Sequence, residues 1–101
     1  MYKLYSNVDF EWDPEKNEEN IEKHRVSFEV ARQAWLDPMR VTARDKKHSS
    51  RGEQRYFLYG SVGGDVMTVR FTRAAGVIRI IGAGYWREGR QEYEKRNQFR
   101  R

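Results

Sequence analysis

The first part of the chain combines a strand-like pattern with helix-like patterns of apolar positions. Val8 to Trp12 alternates apolar and charged residues, which predicts a short strand with a period of two. Asp13 then suits the N-cap of a helix and Pro14 its first position, and glutamates follow where the helix dipole favours negative charge. We expect this helix to end near His24. Because its apolar stripe is thin, it should lie against the body of the protein.

A second helix is predicted between Ser27, a good N-cap, and Asp37-Pro38, where the proline stops it. The apolar residues on one side of this helix are Phe28, Ala31, Ala34 and Trp35. The second helix is therefore expected to contribute more to the core than the first. Trp12, just before the first helix, is also expected in the core.

The remainder of the chain has the Val, Ile, Tyr and Phe content of a sheet. The predicted strands are Met39 to Arg44, Glu53 to Val62, Asp65 to Thr72 and Val77 to Ala83. Gly63-Gly64 and Ala74 to Gly76 supply the turns of two successive hairpins, and Arg87 to about Phe99 regains helical character. We predict an α+β fold in which two N-terminal helices and one C-terminal helix pack on one face of an antiparallel sheet.

Charge is distributed unevenly along the chain. Met39 to Arg101 contains fifteen Lys and Arg against six Asp and Glu, whereas Met1 to Pro38 contains five basic residues against nine acidic ones. The surplus is mostly arginine, whose guanidinium group binds an oxyanion through two parallel hydrogen bonds. With an isoelectric point near 9.7, the protein is expected to have acidic partners, either nucleic acid or an acidic protein.

Length and composition restrict the class of protein. A chain of 101 residues without an internal repeat predicts a single domain, residues 1–101. There is no cysteine, which excludes disulfides and thiolate metal sites, and no apolar run approaches the roughly 20 residues that cross a bilayer. The N-terminus lacks the apolar segment of a secretion signal, so we expect a cytoplasmic protein.

Strand alternation is expected to bring basic side chains together on the uncovered face of the sheet, opposite the apolar positions. The predicted cluster comprises Arg55, Arg70, Arg73 and Arg79, with Lys46, Lys47 and Arg51 in the preceding loop. Such a cluster needs a polyanion or a partner carboxylate to offset its own repulsion. The alternative for each arginine is an ion pair across the sheet with Glu53 or Asp65.

Part of the N-terminal half resembles the opening signature of a known family, the BrnT toxins of bacterial toxin–antitoxin pairs. Eleven positions within twenty-two residues carry the resemblance: Phe10, Trp12, Asp13, Lys16, Asn20, Lys23, His24, Val26, Ser27, Phe28 and Ala31. Asp37-Pro38 and the strand segment Arg79-Ile80-Ile81 extend it. Members usually continue that strand with serine and arginine at the positions of Gly82 and Gly84, where this chain departs from the pattern.

The resemblance implies a RelE-like ribonuclease fold and an endoribonuclease that inhibits translation by cleaving RNA without a metal or another cofactor. It also implies a protein partner, a BrnA-like antitoxin with a ribbon-helix-helix DNA-binding region. Promoter DNA would then be bound indirectly, through the antitoxin.

Metal-independent RNA cleavage requires a base for the 2′-hydroxyl, cations for the charge on the phosphorane, and an acid for the leaving oxygen. The assigned catalytic residues are Arg73 and Arg79 as phosphate clamps, Arg55 as a third cation, Glu53 as general base, and Lys47 as general acid with Tyr85 as the alternative. The assigned RNA-binding residues are Lys46, Arg51, Arg70, Tyr85 and Trp86. For Trp86, anchoring the terminal helix is an alternative to stacking on a base.

The two histidines are the other familiar means of acid–base catalysis near neutral pH. His24 closes the first helix, where a structural role is expected, and His48 is expected to be a solvated loop residue. Asp45-Lys46-Lys47 resembles part of some magnesium nuclease sites but lacks a second carboxylate upstream at a suitable distance. A non-catalytic basic adaptor that uses the same sheet face remains the alternative to a ribonuclease.

Overall fold

A computed structural model of the chain describes residues 9–99. The elements are β1 (Asp9–Glu11), α1 (Pro14–His24), α2 (Phe28–Ala31), a 3-10 helix (Arg32–Leu36), β2 (Val41–Arg44), β3 (Arg55–Val62), β4 (Asp65–Ala74), β5 (Val77–Gly84) and α3 (Arg87–Asn97). Val8, at the start of the first predicted strand, lies outside the described residues. No helix within the described part of the chain is long and apolar enough to span a membrane.

The predicted helix starts are confirmed by their capping contacts. The side chain of Asp13 accepts a hydrogen bond from the backbone N–H of Glu15, and that of Ser27 accepts one from Val30. The second helix differs from its prediction, because only Phe28–Ala31 is α-helical and the next turn tightens to a 3-10 helix.

The five strands form one sheet in the order β1-β5-β4-β3-β2. The pairs among β2, β3, β4 and β5 are antiparallel, as predicted, but β1 pairs with β5 in parallel. The predicted antiparallel sheet is therefore a mixed one. Alternation of apolar residues identified β1 as a strand, but that pattern is the same for either strand direction.

The core lies between one face of the sheet, here called the core face, and the segment formed by α2 and the 3-10 helix. Leu58, Val69, Phe71 and Ile80 are almost completely buried on this face and belong to one cluster with Phe28, Ala31 and Trp35. Trp12 packs against the same cluster while remaining half-buried. The segment lies close to the sheet, since a Cβ atom at Gly60 would be 2.5 Å from the carbonyl oxygen of Ala34.

The C-terminal helix packs on the opposite face, which corrects the prediction that all helices share one face. Thr68 lies between the buried Met67 and Val69 along β4, so its side chain points away from the core face. A Cβ atom at Gly89 in α3 would be 1.9 Å from Thr68 Oγ1 and 3.1 Å from Tyr59 Cδ1. The close approach explains a glycine inside a helix, and it leaves Thr68 Oγ1 buried without a hydrogen-bond partner.

The position of α3 was not predictable from an apolar stripe, because this helix has few apolar residues and is held mainly by polar contacts. Tyr93 donates to the carboxylate of Asp37 at 2.5 Å, and the amide of Asn97 donates to the carbonyl of Met39 at 3.0 Å. Arg90 forms an ion pair with Asp65 at the start of β4.

Helix α1 lies along the free edge of β5, beyond the point where β1 ends. The pairing of β1 reaches only from Val77 to Arg79. Further along, the amide of Asn20 donates to the Ala83 carbonyl at 2.9 Å and accepts from the Ala83 N–H at 3.2 Å. The same Nδ2 group donates to the carbonyl of Val26 at 2.8 Å. A single buried side chain therefore satisfies backbone groups at the edge of β5 and also stabilises the turn after α1.

We expect Gly89→Ala to destabilise the protein by roughly 1–3 kcal/mol, because the new methyl group must displace Thr68 or move α3 away from the sheet. Urea unfolding measures the change. Thr68→Ala removes the buried hydroxyl that lacks a partner, so combined with Gly89→Ala it should recover part of the loss. Gly52→Ala, where a Cβ atom has nothing within 4 Å, is the control. Equal stability of the Gly89 and Gly52 variants would contradict this packing.

We expect Asn20→Ala to cost at least about 2 kcal/mol of unfolding free energy, because three buried backbone groups lose their partner. Asn17→Ala is the matched control on the same helix, since Asn17 accepts one hydrogen bond, from the Phe28 N–H at 2.8 Å. Thermal and chemical unfolding should rank the Asn20 variant as clearly less stable. The reverse ranking would show that α1 does not depend on this amide.

Candidate active site

Three arginines share the part of the sheet that neither helix α3 nor the core covers. We call this part the open face; its residues are Arg55, Phe57, Arg70, Thr72, Arg79 and Gly82. Arg55 and Arg79 flank Thr72 in one cross-strand row. Arg70 stands in the next row, between Phe57 and Gly82. Adjacent strands are about 4.8 Å apart, so the backbones that carry these arginines are close neighbours.

Two of the three arginines make ion pairs at the surface. Arg79 binds the carboxylate of Glu11 at 2.8 Å, and Arg55 binds that of Glu53 at 2.9 Å. All four side chains remain at least one-third exposed, and exposed pairs of this kind contribute about 0–1 kcal/mol. A phosphate group that binds two guanidinium groups at once can replace such carboxylates.

Arg70 differs from its neighbours because it makes no ion pair among residues 9–99. Its stem crosses the backbone at Gly82, where a Cβ atom would be 3.7 Å from Arg70 Cδ. The side chain is half-buried, and its charge helps to lower the pKa of Asp45. Arg70 is therefore a cation at the centre of the open face without an ion-pair partner in the described part of the chain.

Arg73 does not join this group. It has the same alternation as Phe71 on β4, so its guanidinium group lies on the core side of the sheet, 4.7 Å from the centre of the Tyr56 ring. The predicted convergence of four arginines therefore reduces to three. The alternation of β4 contained this information, because Arg73 is two residues after the apolar Phe71.

The loop between β2 and β3 carries the remaining predicted basic residues. Lys46, Lys47 and Arg51 are exposed there, as is Glu53. The loop is fixed by Ser49, whose hydroxyl donates to the Asp45 carbonyl at 2.7 Å and accepts from the Arg55 N–H at 2.8 Å.

The same loop contains a pair that the sequence analysis missed, the side chains of Asp45 and His48. Asp45 is only 4% exposed, and its backbone N–H continues the sheet by donating to the Arg55 carbonyl at 2.8 Å. The His48 ring nitrogen Nδ1 lies 2.9 Å from Asp45 Oδ2, and 47% of the His48 side chain is exposed. A buried carboxylate thus orients an accessible imidazole in the loop that leads into β3 at Arg55. The spacing of Asp45 and His48 was the available signal, since a carboxylate three residues before a histidine can bind both its ring and its backbone N–H.

Electrostatics keep Asp45 ionised. Burial alone raises the pKa of the Asp45 carboxyl, but the hydrogen bonds from the ring and backbone of His48, with the charge of Arg70, outweigh it, so the pKa lies below its ordinary value. An ionised Asp45 accepts a hydrogen bond from the Nδ1–H group of His48. The neutral imidazole therefore carries its proton on Nδ1 and leaves Nε2 as a proton acceptor.

Tyr85 and Trp86 lie further along the sheet. The Tyr85 hydroxyl donates to the Val62 carbonyl at 3.2 Å, and burial raises its pKa, with a further contribution from Asp65. Val62 is seven residues along β3 from Arg55, or roughly 23 Å, so the structure separates Tyr85 from the arginine row. The indole of Trp86 packs over Gly84 and meets the His24 ring edge-on, with ring centres 5.0 Å apart.

The described residues do not converge as metal ligands: within 9–99, no group of three or more His, Asp and Glu side chains has the arrangement that would hold an ion. The charged groups of the open face and its adjoining loop are guanidinium groups, the ammonium groups of Lys46 and Lys47, and carboxylates, with the imidazole of His48 bound to one of these.

Comparison with known proteins gives a family for this arrangement. A family model described as the ribonuclease toxin BrnT of type II toxin–antitoxin systems matches residues 12–89. No curated protein matches the chain. The matched span runs from Trp12, before α1, to Gly89 in α3, so it contains Arg55, Arg70 and Arg79 as well as the Asp45–His48 pair.

Acid is expected to weaken the fold through Asp45. Its folded pKa lies below the ordinary 3.8, so the ionised carboxylate stabilises the fold above that value, and the stabilisation is lost as the pH falls through the folded pKa. At pH values below about 4 the unfolding free energy should therefore decrease. Asp45→Asn should make this decrease with pH less steep. Denaturant titrations at several pH values measure the unfolding free energy, with Glu18→Gln on the surface of α1 as control. An unchanged slope in the Asp45 variant would contradict this role.

Proposed function

Because the chain belongs to the family of BrnT ribonuclease toxins of type II toxin–antitoxin systems, we propose that it is a metal-independent endoribonuclease whose active site is the open face and the adjoining Asp45–His48 pair. The observation that carries this proposal is the exposed imidazole of His48, held 2.9 Å from a buried carboxylate whose ionisation is also favoured by the charge of Arg70. Base, orienting carboxylate and phosphate-binding cation are then within one small region.

In the proposed reaction, His48 Nε2 takes the proton from a ribose 2′-hydroxyl. The freed oxygen attacks the adjacent phosphorus, and the bond from phosphorus to the 5′-oxygen breaks, leaving a 2′,3′-cyclic phosphate. The leaving 5′-oxygen takes up one proton. Lys47, in the same loop as His48, is the proposed donor of that proton, since Tyr85 lies towards the opposite end of β3.

The arginines stabilise the negative charge that develops on the phosphorane oxygens. Within residues 9–99 no carboxylate forms an ion pair with Arg70, so it is the proposed primary contact. Arg55 and Arg79, in the neighbouring row of the sheet, exchange their surface carboxylates for phosphate oxygens. Arg73 lies on the other side of the sheet, and it would reach this phosphate only from the end of β4.

His48 is the better candidate for the base than Glu53, the residue proposed from sequence. The Glu53 carboxylate is bound by Arg55 Nε at 2.9 Å, so one of its oxygens is occupied by the ion pair, whereas Nε2 of His48 is exposed. The role proposed for Glu53 is to position Arg55 before the substrate binds.

A toxin of a type II system has a protein antitoxin as its partner. We propose that this partner resembles BrnA, with a ribbon-helix-helix region through which the complex binds promoter DNA, and that free toxin stops translation in the cytoplasm by cutting RNA. Exposed cations in the loop at Lys46, Lys47 and Arg51 support RNA binding beside the proposed centre. The RelE-like classification of the fold belongs to the same proposal.

The proposal is tested with purified protein and a defined RNA in the presence of EDTA. We expect cleavage by the native protein that leaves a 2′,3′-cyclic phosphate end, and a loss of at least about 100-fold in His48→Ala, the usual contribution of a general base. Added imidazole should restore part of the activity, because the removed side chain is half-exposed. A purely structural histidine would give no such rescue.

Two controls complete this test. Asp45→Asn should lower the rate and move its pH profile while RNA binding is retained, because the amide no longer fixes the same imidazole tautomer. Gln33→Ala, on an exposed position of the 3-10 helix, should leave the rate unchanged. RNA binding with no cleavage product under any metal condition would favour the non-catalytic adaptor instead.

A further inference from the structure

A second concave site lies beside the open face, between helix α1 and the end of strand β5. It is a cavity of about 220 Å³ whose lining includes Lys16, Lys23, His24, Arg70, Gly82 and Trp86. Arg70 and Gly82 belong to both this cavity and the open face, and Arg70 is the charged residue that the two share. The cavity is smaller than the about 300–1,000 Å³ of pockets that enclose drug-sized ligands, which suits it to one chemical group of a longer chain.

The positions of the two lysines are fixed by Asn20. Its amide holds α1 to the backbone of Ala83, and Lys16 and Lys23 stand four residues before and three residues after it. Residues at these spacings occupy the same side of a helix. Both ammonium groups are therefore carried to the edge of β5, facing the cavity from two successive turns.

Positive charge dominates this cavity. Lys16, Lys23 and Arg70 line it with one carboxylate, that of Glu19. None of the three cations forms an ion pair within 4.0 Å among residues 9–99. Three cations that face one carboxylate repel one another, and a bound anion with several acceptor oxygens offsets that cost.

Two glycines give the cavity its shape. At Gly82 a Cβ atom would meet only the side chain of Arg70, at 3.7 Å or more, so the absent side chain leaves open volume above the strand. At Gly84 a Cβ atom would lie 2.7 Å from Trp86 Cζ2 and Cη2. Glycine there lets the indole fold back over β5 and form a wall of the cavity.

We propose that this cavity binds a backbone phosphate of RNA next to the one held on the open face. The inference deepens the proposed ribonuclease function and rests on it for the identity of the ligand. Arg70 connects the two sites, so a strand that places one phosphate on the arginine row presents a neighbouring phosphate to Lys16 and Lys23. Two adjacent anchoring points fix the direction of the strand across His48.

The test measures binding of a 2′-O-methyl oligoribonucleotide, which has no free 2′-hydroxyl to react, as a function of salt. Each single-strand phosphate contact contributes about 0.7 to the slope of log affinity against log salt. Lys16→Gln and Lys23→Gln should each lower the slope by about that amount beyond Lys95→Gln, which removes the same charge from α3. Gly82→Val should weaken binding at least tenfold by filling the cavity, whereas Gly52→Val should not.

Gly82→Val is expected to fold, since valine suits a strand and the nearest neighbour is the flexible Arg70 side chain. Its thermal unfolding is measured alongside to confirm this. If both lysine variants match Lys95→Gln and Gly82→Val binds like the native protein, the phosphate site is overturned. If these variants weaken binding of the antitoxin but not of the oligonucleotide, the site is again overturned as an RNA site.

The outcome separates the two proposals. Cleavage by the native protein with no effect of the cavity variants leaves the ribonuclease standing and removes the second site. Absence of cleavage, combined with oligonucleotide binding that depends on Lys16, Lys23 and Gly82, supports the phosphate site while the ribonuclease proposal fails.

Discussion

The arrangement of this protein depends on one amide, the side chain of Asn20. A strand that lies at the edge of a sheet leaves alternate backbone N–H and C=O groups without partners. Strand β1 covers only the first residues of β5, and beyond them Asn20 supplies the donor and the acceptor that another strand would have provided. A helix thereby takes the place of a strand at the sheet edge, and the residues of its inner side are brought against β5.

The two faces of the sheet are stabilised by different forces. On the core face, aliphatic and aromatic side chains are excluded from water by α2 and the 3-10 helix, where Phe10, Trp35 and Phe71 form edge-to-face contacts. On the other face, α3 is held chiefly through Asp37 and Met39, which are bound by Tyr93 and Asn97. Apolar packing thus gives the sheet its rigidity, while the shorter polar cover leaves guanidinium groups accessible beside it.

Local signals predicted much of this arrangement because they act over a few residues. Asp13 and Ser27 satisfy backbone N–H groups two or three positions ahead, and alternation on β4 and β5 placed Arg70 and Arg79 on the same side. The partner of β1, about seventy residues later, was not encoded in any local pattern. The face of the sheet on which α3 packs could not be predicted from a local pattern either, since it depends on the close contact between Gly89 and Thr68.

The candidate site shows the same limit. Arginine content identified the basic face, but a bend in a loop decides whether His48 is a solvated residue or the partner of a buried carboxylate. The fixing contact is the hydroxyl of Ser49, which joins Asp45 to Arg55 across the two ends of the loop. Only the folded loop shows that these residues belong together.

The indole of Trp86 and the bare backbone at Gly84 have a consequence for how this strand can vary. The ring occupies the space into which any side chain at position 84 would project. An arginine at position 84 and a tryptophan at position 86 in this orientation would occupy the same space. A change at either position therefore depends on the residue at the other. Evolution from glycine to a larger residue at position 84 therefore requires two changes. The indole of Trp86 must first move away or be replaced, and only then can a side chain at position 84 be accommodated.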